Sequence, residues 1–280
     1  MKIGIVGAGR VGCSLGKYLT EQGQAVAGYF SKSKKSVEEA ATFTKTKAFP
    51  TLEELVETCD VIWITTPDDA IAKVWESIQR LLIQNKIICH FSGSLSSVVF
   101  SGRVEKGIAA CSIHPVYAFS DKFTSYHQLN TVMFTMEGDA DALTLMKPLF
   151  EKLGNRVQVI ASEKKIRYHA AAVMASNLMV ALYQMSVDML ADCGFETGMA
   201  KELLEPLVRG NIDKLLASSP EEALTGPVER GDVETVQKHL KELTPKEREV
   251  YTLLGRTLVQ IAARKNPEQD YRAVQKILED

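Results

Sequence analysis

The sequence predicts a doubly wound α/β domain with a mainly parallel sheet, followed by an all-α domain. Three observations carry that prediction. Short runs rich in β-branched residues alternate with helical patterns as far as residue 160. Several runs are apolar throughout, as in Ile3-Gly4-Ile5-Val6 and Val61-Ile62-Trp63-Ile64. Strand signals then stop, and helical periodicity continues to the end of the chain. Alternation of strand and helix gives parallel connections, and a strand without a polar face belongs to a sheet covered on both sides.

The expected strands are 2–6, 25–30, 47–49, 61–65, 86–91, 108–113, 131–136 and 157–160. A helix over about 10–21 follows the first strand. Ser36 with Glu39, Thr51 with Glu54, Ser219 with Glu222 and Thr244 with Glu247 read as capping boxes. In each, a hydroxyl takes the amide N–H three residues on, and the acid reaches back to the cap. Pro220 and Pro245 stand at the first helical position, where a missing N–H costs nothing. Further helices are expected at about 164–193, 197–217, 220–224, 232–242 and 245–264, with a short tail helix. Gly194, Gly210 and Thr225-Gly226-Pro227 punctuate them. The domain boundary falls near Ala161, giving domains 1–161 and 162–280.

The chain's 280 residues are 45% hydrophobic and 24% charged, which suits an ordinary globular protein. A formal net charge of -2 supplies no global field for nucleic acid or an anionic membrane. The five cysteines, Cys13, Cys59, Cys89, Cys111 and Cys193, are scattered and odd in number. No disulfide framework or metal site is expected from them, and a reducing compartment fits. The apolar stretch 170–183, broken by Ser176 and Asn177, reads as too short for a bilayer. The start of the chain lacks signal-peptide architecture, so the expected location is cytoplasmic.

Gly7-Ala8-Gly9-Arg10-Val11-Gly12 is a G-x-G-x-x-G between an apolar strand and a helix. The first glycine permits a tight turn, the second lets a pyrophosphate approach the backbone, and the third packs helix on strand. Free N–H groups at the helix start then face the phosphates. This is the pattern of a Rossmann domain holding a dinucleotide. The second strand ends in Ser31-Lys32-Ser33-Lys34-Lys35, without the acid that usually holds the ribose 2′-OH of NAD. Hydroxyls and lysines there suit a 2′-phosphate, with Arg10 adding a planar guanidinium. NADP(H) is therefore the expected cofactor.

Ligands of open α/β sheets bind beyond the carboxyl ends of the strands. Three such ends are small or polar: Thr65-Thr66-Pro67, Ser92-Gly93-Ser94 and His114-Pro115. They are candidates to line the nicotinamide and substrate. His114 is the first candidate for catalysis, because an imidazole exchanges protons near neutral pH. His90 reads as structural, and His127 and His239 as surface residues. His169, Val173 and Asn177 fall at i, i+4 and i+8 on one helix face. Asn177 stands in an apolar stretch and, if buried, needs a substrate, cofactor or helix partner. Thr225, Glu229 and Arg230 can close over a substrate, with Arg230 or Lys165 holding a carboxylate. Equally they can form a capped turn with a local ion pair. Asp232 is the expected cap of the helix that follows. Met174, Met179, Met185 and Met189 read as core or dimer packing.

Taken together, Gly7 to Gly12, Thr66-Pro67-Asp68-Asp69-Ala70-Ile71, the segments 90–96, 112–115, 168–177 and 223–232 resemble the Rossmann-like short-subunit dehydrogenases with a helical C-terminal domain. These fall in the broad 6-phosphogluconate-dehydrogenase-like group. The resemblance implies an NADPH-dependent reductase of a small 2-oxo acid, with ketopantoate (2-dehydropantoate) the leading substrate in pantothenate synthesis, acting as a homodimer. Ketopantoate reductases carry a lysine and asparagines on the first helix of the second domain. With Asn177 matched to an asparagine, the lysine position falls on His169, and Lys164 and Lys165 lie a turn away. Ser92, Ser94 and His114-Pro115 also resemble prephenate dehydrogenase, and the two-domain plan resembles pyrroline-5-carboxylate reductase. The expected catalytic group is thus His114, His169 and Asn177, with Ser94, Lys165, Thr225 and Arg230 on the substrate. The alternatives are a prephenate-dehydrogenase-like or imine-reductase-like enzyme, and a cofactor-binding sensor or scaffold without turnover.

Overall fold

The computed structural model describes residues 1–81 and 84–279. The chain divides into two compact units, Met1–Ala175 and Ser176–Asp280.

The first unit is built on an eight-stranded sheet. Its strands are β1 (Ile3–Val6), β2 (Val26–Phe30), β3 (Lys47–Ala48), β4 (Val61–Ile64), β5 (Ile87–His90), β6 (Ala109–Pro115), β7 (Phe134–Gly138) and β8 (Val157–Val159), in the order β3-β2-β1-β4-β5-β6-β7-β8. All neighbours are parallel except β6 and β7. The sheet is thus mainly parallel, and its order reverses between β1 and β4, where a ligand crevice opens. The helices are α1 (Arg10–Glu21), α2 (Lys34–Thr44), α3 (Leu52–Thr58), α4 (Asp68–Gln79), α5 (Ala140–Lys152) and α6 (Lys165–Ala175).

The apolar strands bury both faces. Val61 and Trp63 of β4 join a cluster with Ile5, Leu15, Tyr29 and Phe150. Ile62 and Ile64 join the opposite cluster with Leu55, Trp75 and Phe100. Each fully buried aliphatic side chain contributes roughly 1.5–3 kcal/mol, so successive residues of one strand hold helices on opposite sides of the sheet.

The expected strands all form, with ends displaced by up to three residues. The largest displacement is at 131–136, because residues 125–131 wind into a 3-10 turn before β7 begins at Phe134. Of the four expected boxes, one closes reciprocally among the described residues, two form only their hydroxyl half, and one cap falls on another residue. The Ser33 hydroxyl, not Ser36, caps α2 by accepting the Ser36 N–H at 3.2 Å. Thr51 and Ser219 cap their helices through their hydroxyls, and Thr244 with Glu247 forms a reciprocal box.

The second unit contains α7 (Asn177–Asp192), α8 (Thr197–Ala217), α9 (Pro220–Ala223), α10 (Val233–Glu242), α11 (Pro245–Lys265) and α12 (Arg272–Glu279). Its core is Val228, Val236, Leu240, Val259, Ala262, Tyr271, Val274 and Leu278. Asp232 caps α10 by accepting the Thr235 N–H at 3.0 Å. The helix expected over 164–193 breaks at Ser176, whose φ of -126° and ψ of -77° are not helical. The segment Ser162–Asp192 is nevertheless long and apolar enough, by length and composition, to cross a membrane. This corrects the expectation of a stretch too short to do so, because helix continues to both sides of 170–183.

Candidate functional site

The glycine loop begins where β1 ends. Gly7 has a φ of +112°, a conformation glycine adopts without strain, and its N–H donates to the Phe30 carbonyl at 2.8 Å. The Thr65 hydroxyl donates to the Gly7 carbonyl at 2.8 Å, tying the loop to the end of β4. A Cβ on Gly12 would collide with that carbonyl and with the Thr65 hydroxyl. At Gly9 no heavy atom of the described residues lies within 4 Å of where a Cβ would stand. Gly9 is also the N-cap of α1 and offers no side-chain bond to the first-turn amides. The loop is therefore tight at its first and third glycines and open at its second.

A pocket of about 340 Å³ opens beside Gly9, Arg10 and Val11 and continues along Thr65, Thr66, Pro67, Asp68 and Ser92. The Thr66 hydroxyl is buried without a hydrogen-bond partner among the described residues. An open glycine, uncapped helix amides and an orphaned hydroxyl in one crevice fit a diphosphate with its ribose. A second pocket lies at the end of β2, lined by Phe30, Ser31, Lys32, Lys34, Phe49 and Pro50 among others. Lys34 faces Glu38 at 4.0 Å, whereas Lys32 makes no ion pair among the described residues. Ser33, expected in this cradle, has its hydroxyl engaged in capping α2.

The turn after β5 is organised by Asp68. Its carboxylate accepts the hydroxyls of Ser92 at 2.7 Å and Ser94 at 3.0 Å. The Ser92 hydroxyl in turn accepts the Ser94 and Leu95 N–H groups at 3.1 and 2.9 Å. His90 is fully buried, and its Nδ1 accepts the Ser92 N–H at 3.2 Å. That bond supports the structural role expected of it.

His114 and His169 meet at Gly93. A Cβ there would stand 2.8 Å from His169 Nε2 and 2.9 Å from His114 Nε2. The rings cross edge to face with centroids 5.9 Å apart. His114 Nδ1 lies 2.8 Å from the Tyr168 hydroxyl. Burial pushes His114 down to about 4, helped by the nearby positive charge of Lys165 and by His169. The imidazole is thus held toward its neutral form.

Lys165, the first residue of α6, is 1% exposed, and its Nζ has no hydrogen-bond partner among the described residues. Burial lowers its pKa to about 8, partly offset by Glu137 and Asp68. Its amine thus releases a proton nearer neutral pH than an ordinary lysine does.

Asn177, Thr225 and Arg230 belong to the second unit. Asn177 is exposed, and its Oδ1 accepts the Ser176 hydroxyl at 3.1 Å, so burial imposes no demand for a partner. Thr225 borders an apolar groove of about 290 Å³ with Leu182, Met185, Met189 and Tyr251. Arg230 is exposed, and Glu229 is engaged with Lys265 and Asn266, both at 3.2 Å. Sequence reasoning missed Glu137 and gave Tyr168 no role. Tyr168 was detectable, since Lys165, Tyr168 and His169 at i, i+3 and i+4 share a helix face. The signal for Glu137 was an acid directly following the strand expected over 131–136.

Residues 1–115 match a Rossmann-like domain, and residues 132–258 match a domain of unknown function, DUF2520. No curated protein matches the sequence. Among solved structures, protein TM1727 from Thermotoga maritima is 27% identical with a TM-score of 0.77, over 94% of this chain and 99% of that one. BF3122 from Bacteroides fragilis, described as a candidate NADP oxidoreductase, is 23% identical with a TM-score of 0.72, over 92% and 98%. The pyrroline carboxylate reductase of Plasmodium falciparum, solved with NADP bound, is 16% identical with a TM-score of 0.59, over 95% and 96%.

Proposed function

We propose that the chain is an NADPH-dependent reductase of a small 2-oxo acid, with 2-dehydropantoate as leading substrate and pantoate as product. One observation carries this reading. Two imidazole Nε2 atoms converge at Gly93, and the adjacent Ser92 lines the pocket of the glycine loop. Two solved structures of similar fold hold NADP. Here Gly9 and the α1 amides would hold its diphosphate, Thr66 its ribose, and Ser31, Lys32 and Arg10 its 2′-phosphate.

NADPH, when bound, would supply a hydride to the carbonyl carbon. As the carbonyl π pair moves to oxygen, negative charge grows there, and a donor at that atom favours the transition state over the ground state. His114 is suited to this task. With the Tyr168 hydroxyl donating to Nδ1, the neutral ring keeps its proton on Nε2. Lys165 gives the oxygen its proton, because its pKa of about 8 leaves it charged but able to release near neutral pH.

The test is turnover with NADPH or NADP+ against 2-dehydropantoate, other 2-oxo acids, a cyclic imine and prephenate, followed by nicotinamide absorbance. Oxidation of NADPH with 2-dehydropantoate supports the proposal. Turnover of only the imine or prephenate replaces the substrate. Thermal stabilisation by NADPH with no turnover at all makes the chain a cofactor-binding sensor.

We also propose a homodimer. Leu178, Leu182 and Met189 form an exposed apolar stripe on α7, at 53%, 43% and 36% exposure, and a second copy would cover it. Leu182→Glu should convert a dimeric mass in sedimentation to a monomeric one.

A further inference from the structure

Glu137 of β7 is 1% exposed and takes no part in the chemistry above. Its Oε1 accepts the Ser97 N–H at 2.7 Å, and its Oε2 accepts the Ser97 hydroxyl at 3.0 Å. Oε2 also accepts the Ser162 hydroxyl. One carboxylate thus joins β7 to two 3-10 turns, Ser97–Val99 and Ser162–Lys164. The second turn runs directly into Lys165.

A buried ammonium without a hydrogen-bond partner is costly unless opposite charge lies near it. Among the described residues, the ionisable groups whose charge couples to Lys165 include Glu137 of β7, Asp68 of α4, Cys111 and His114 of β6, and His90 of β5. Both histidines are neutral through burial, and Cys111 lies buried in the core. Asp68 is exposed and already accepts two serine hydroxyls. Glu137 is therefore the buried carboxylate that can balance Lys165.

We infer that Glu137 is a positioning residue: through Ser162 it fixes the turn that places Lys165, and through its charge it keeps the Lys165 amine protonated. The inference rests on the reading that Lys165 supplies the proton, but its test does not require turnover. Glu137→Gln removes the charge and keeps an accepting oxygen, whereas Ser162→Ala cuts the link and keeps the charge. The titration of Lys165 is followed by NMR of isotope-labelled lysine side chains, with Lys165→Met identifying the signal. Glu137→Gln should lower the midpoint by about one unit, and Ser162→Ala should move it less. An unchanged midpoint in folded Glu137→Gln overturns the inference. Should that variant fail to fold, the Glu137 carboxyl is titrated in wild type and Lys165→Met. A higher midpoint without the lysine supports the pairing, and an equal one overturns it. With an active substrate, loss of kcat at rising pH should begin at lower pH in Glu137→Gln. A chain that reduces none of the panel would refute the proposed function and leave the NMR result standing.

Discussion

The Nδ1 of His114 and the hydroxyl of Tyr168 lie 2.8 Å apart, joining the end of β6 to the first turn of α6. The contact couples the ring's tautomer to the Tyr168 proton: with the hydroxyl donating, as proposed, Nε2 keeps the hydrogen that a substrate oxygen can accept. Tyr168→Phe leaves the ring in place without that coupling. A hydrogen bond of about 1.4 kcal/mol corresponds to about tenfold. Steady-state kinetics should show kcat lower by about that factor, with the Kd for NADPH unchanged.

Gly93 is the point at which both histidines leave room. Gly93→Ala would drive a methyl group against His169 and His114. Turnover should fall at least ~100-fold, the scale of a misplacement of about 1 Å. Calorimetric NADPH binding and the far-ultraviolet spectrum should be preserved. Equal activity in the alanine variant would mean that the reaction takes place elsewhere.

Lys32 borders the pocket at the end of β2. Lys32→Glu places a carboxylate where the 2′-phosphate is proposed to sit. Titration calorimetry should show NADPH affinity falling ~10- to 100-fold and NADH affinity nearly unchanged. Equal losses for both nucleotides would remove the phosphate from this pocket.

Burial pushes both His90 and His114 down to about 4, from an ordinary value of 6.5. Between those limits the unfolded chain binds more protons than the folded one. Stability therefore rises with pH from about 4 to about 6.5 and is lost as acid is added through that window. The loss should reach the order of a few kcal/mol in the unfolding free energy extrapolated from urea titrations. His90→Asn keeps an acceptor for the Ser92 N–H and cannot titrate, so its midpoint should depend less steeply on pH.

The sheet was legible in the sequence because its physics is local. A strand such as 61–64 is buried on both faces and must be apolar throughout. Gly7, Gly9 and Gly12 were legible because the tight loop leaves no room at two of them. The cluster around Lys165 was less so. It depends on β5, β6, β7 and α6 converging, and no spacing along the chain announces that. Lys165 was expected as a carboxylate holder, but its burial comes from tertiary packing alone. Glu137 lies 28 residues from Lys165 in sequence and meets its turn through Ser162. The burial that lowers the His114 pKa was not legible for the same reason, since it follows from neighbours that the sequence does not place beside it.

Four thiols, Cys13, Cys59, Cys89 and Cys111, are buried, whereas Cys193 at the end of α7 is exposed. Desolvation holds Cys13 and Cys59 up to about 11, which keeps them from forming the reactive thiolate. A maleimide dye or nitroxide added to the native chain should therefore attach at one position in the helical unit. Fluorescence or electron-spin measurements become practicable there without engineering any residue.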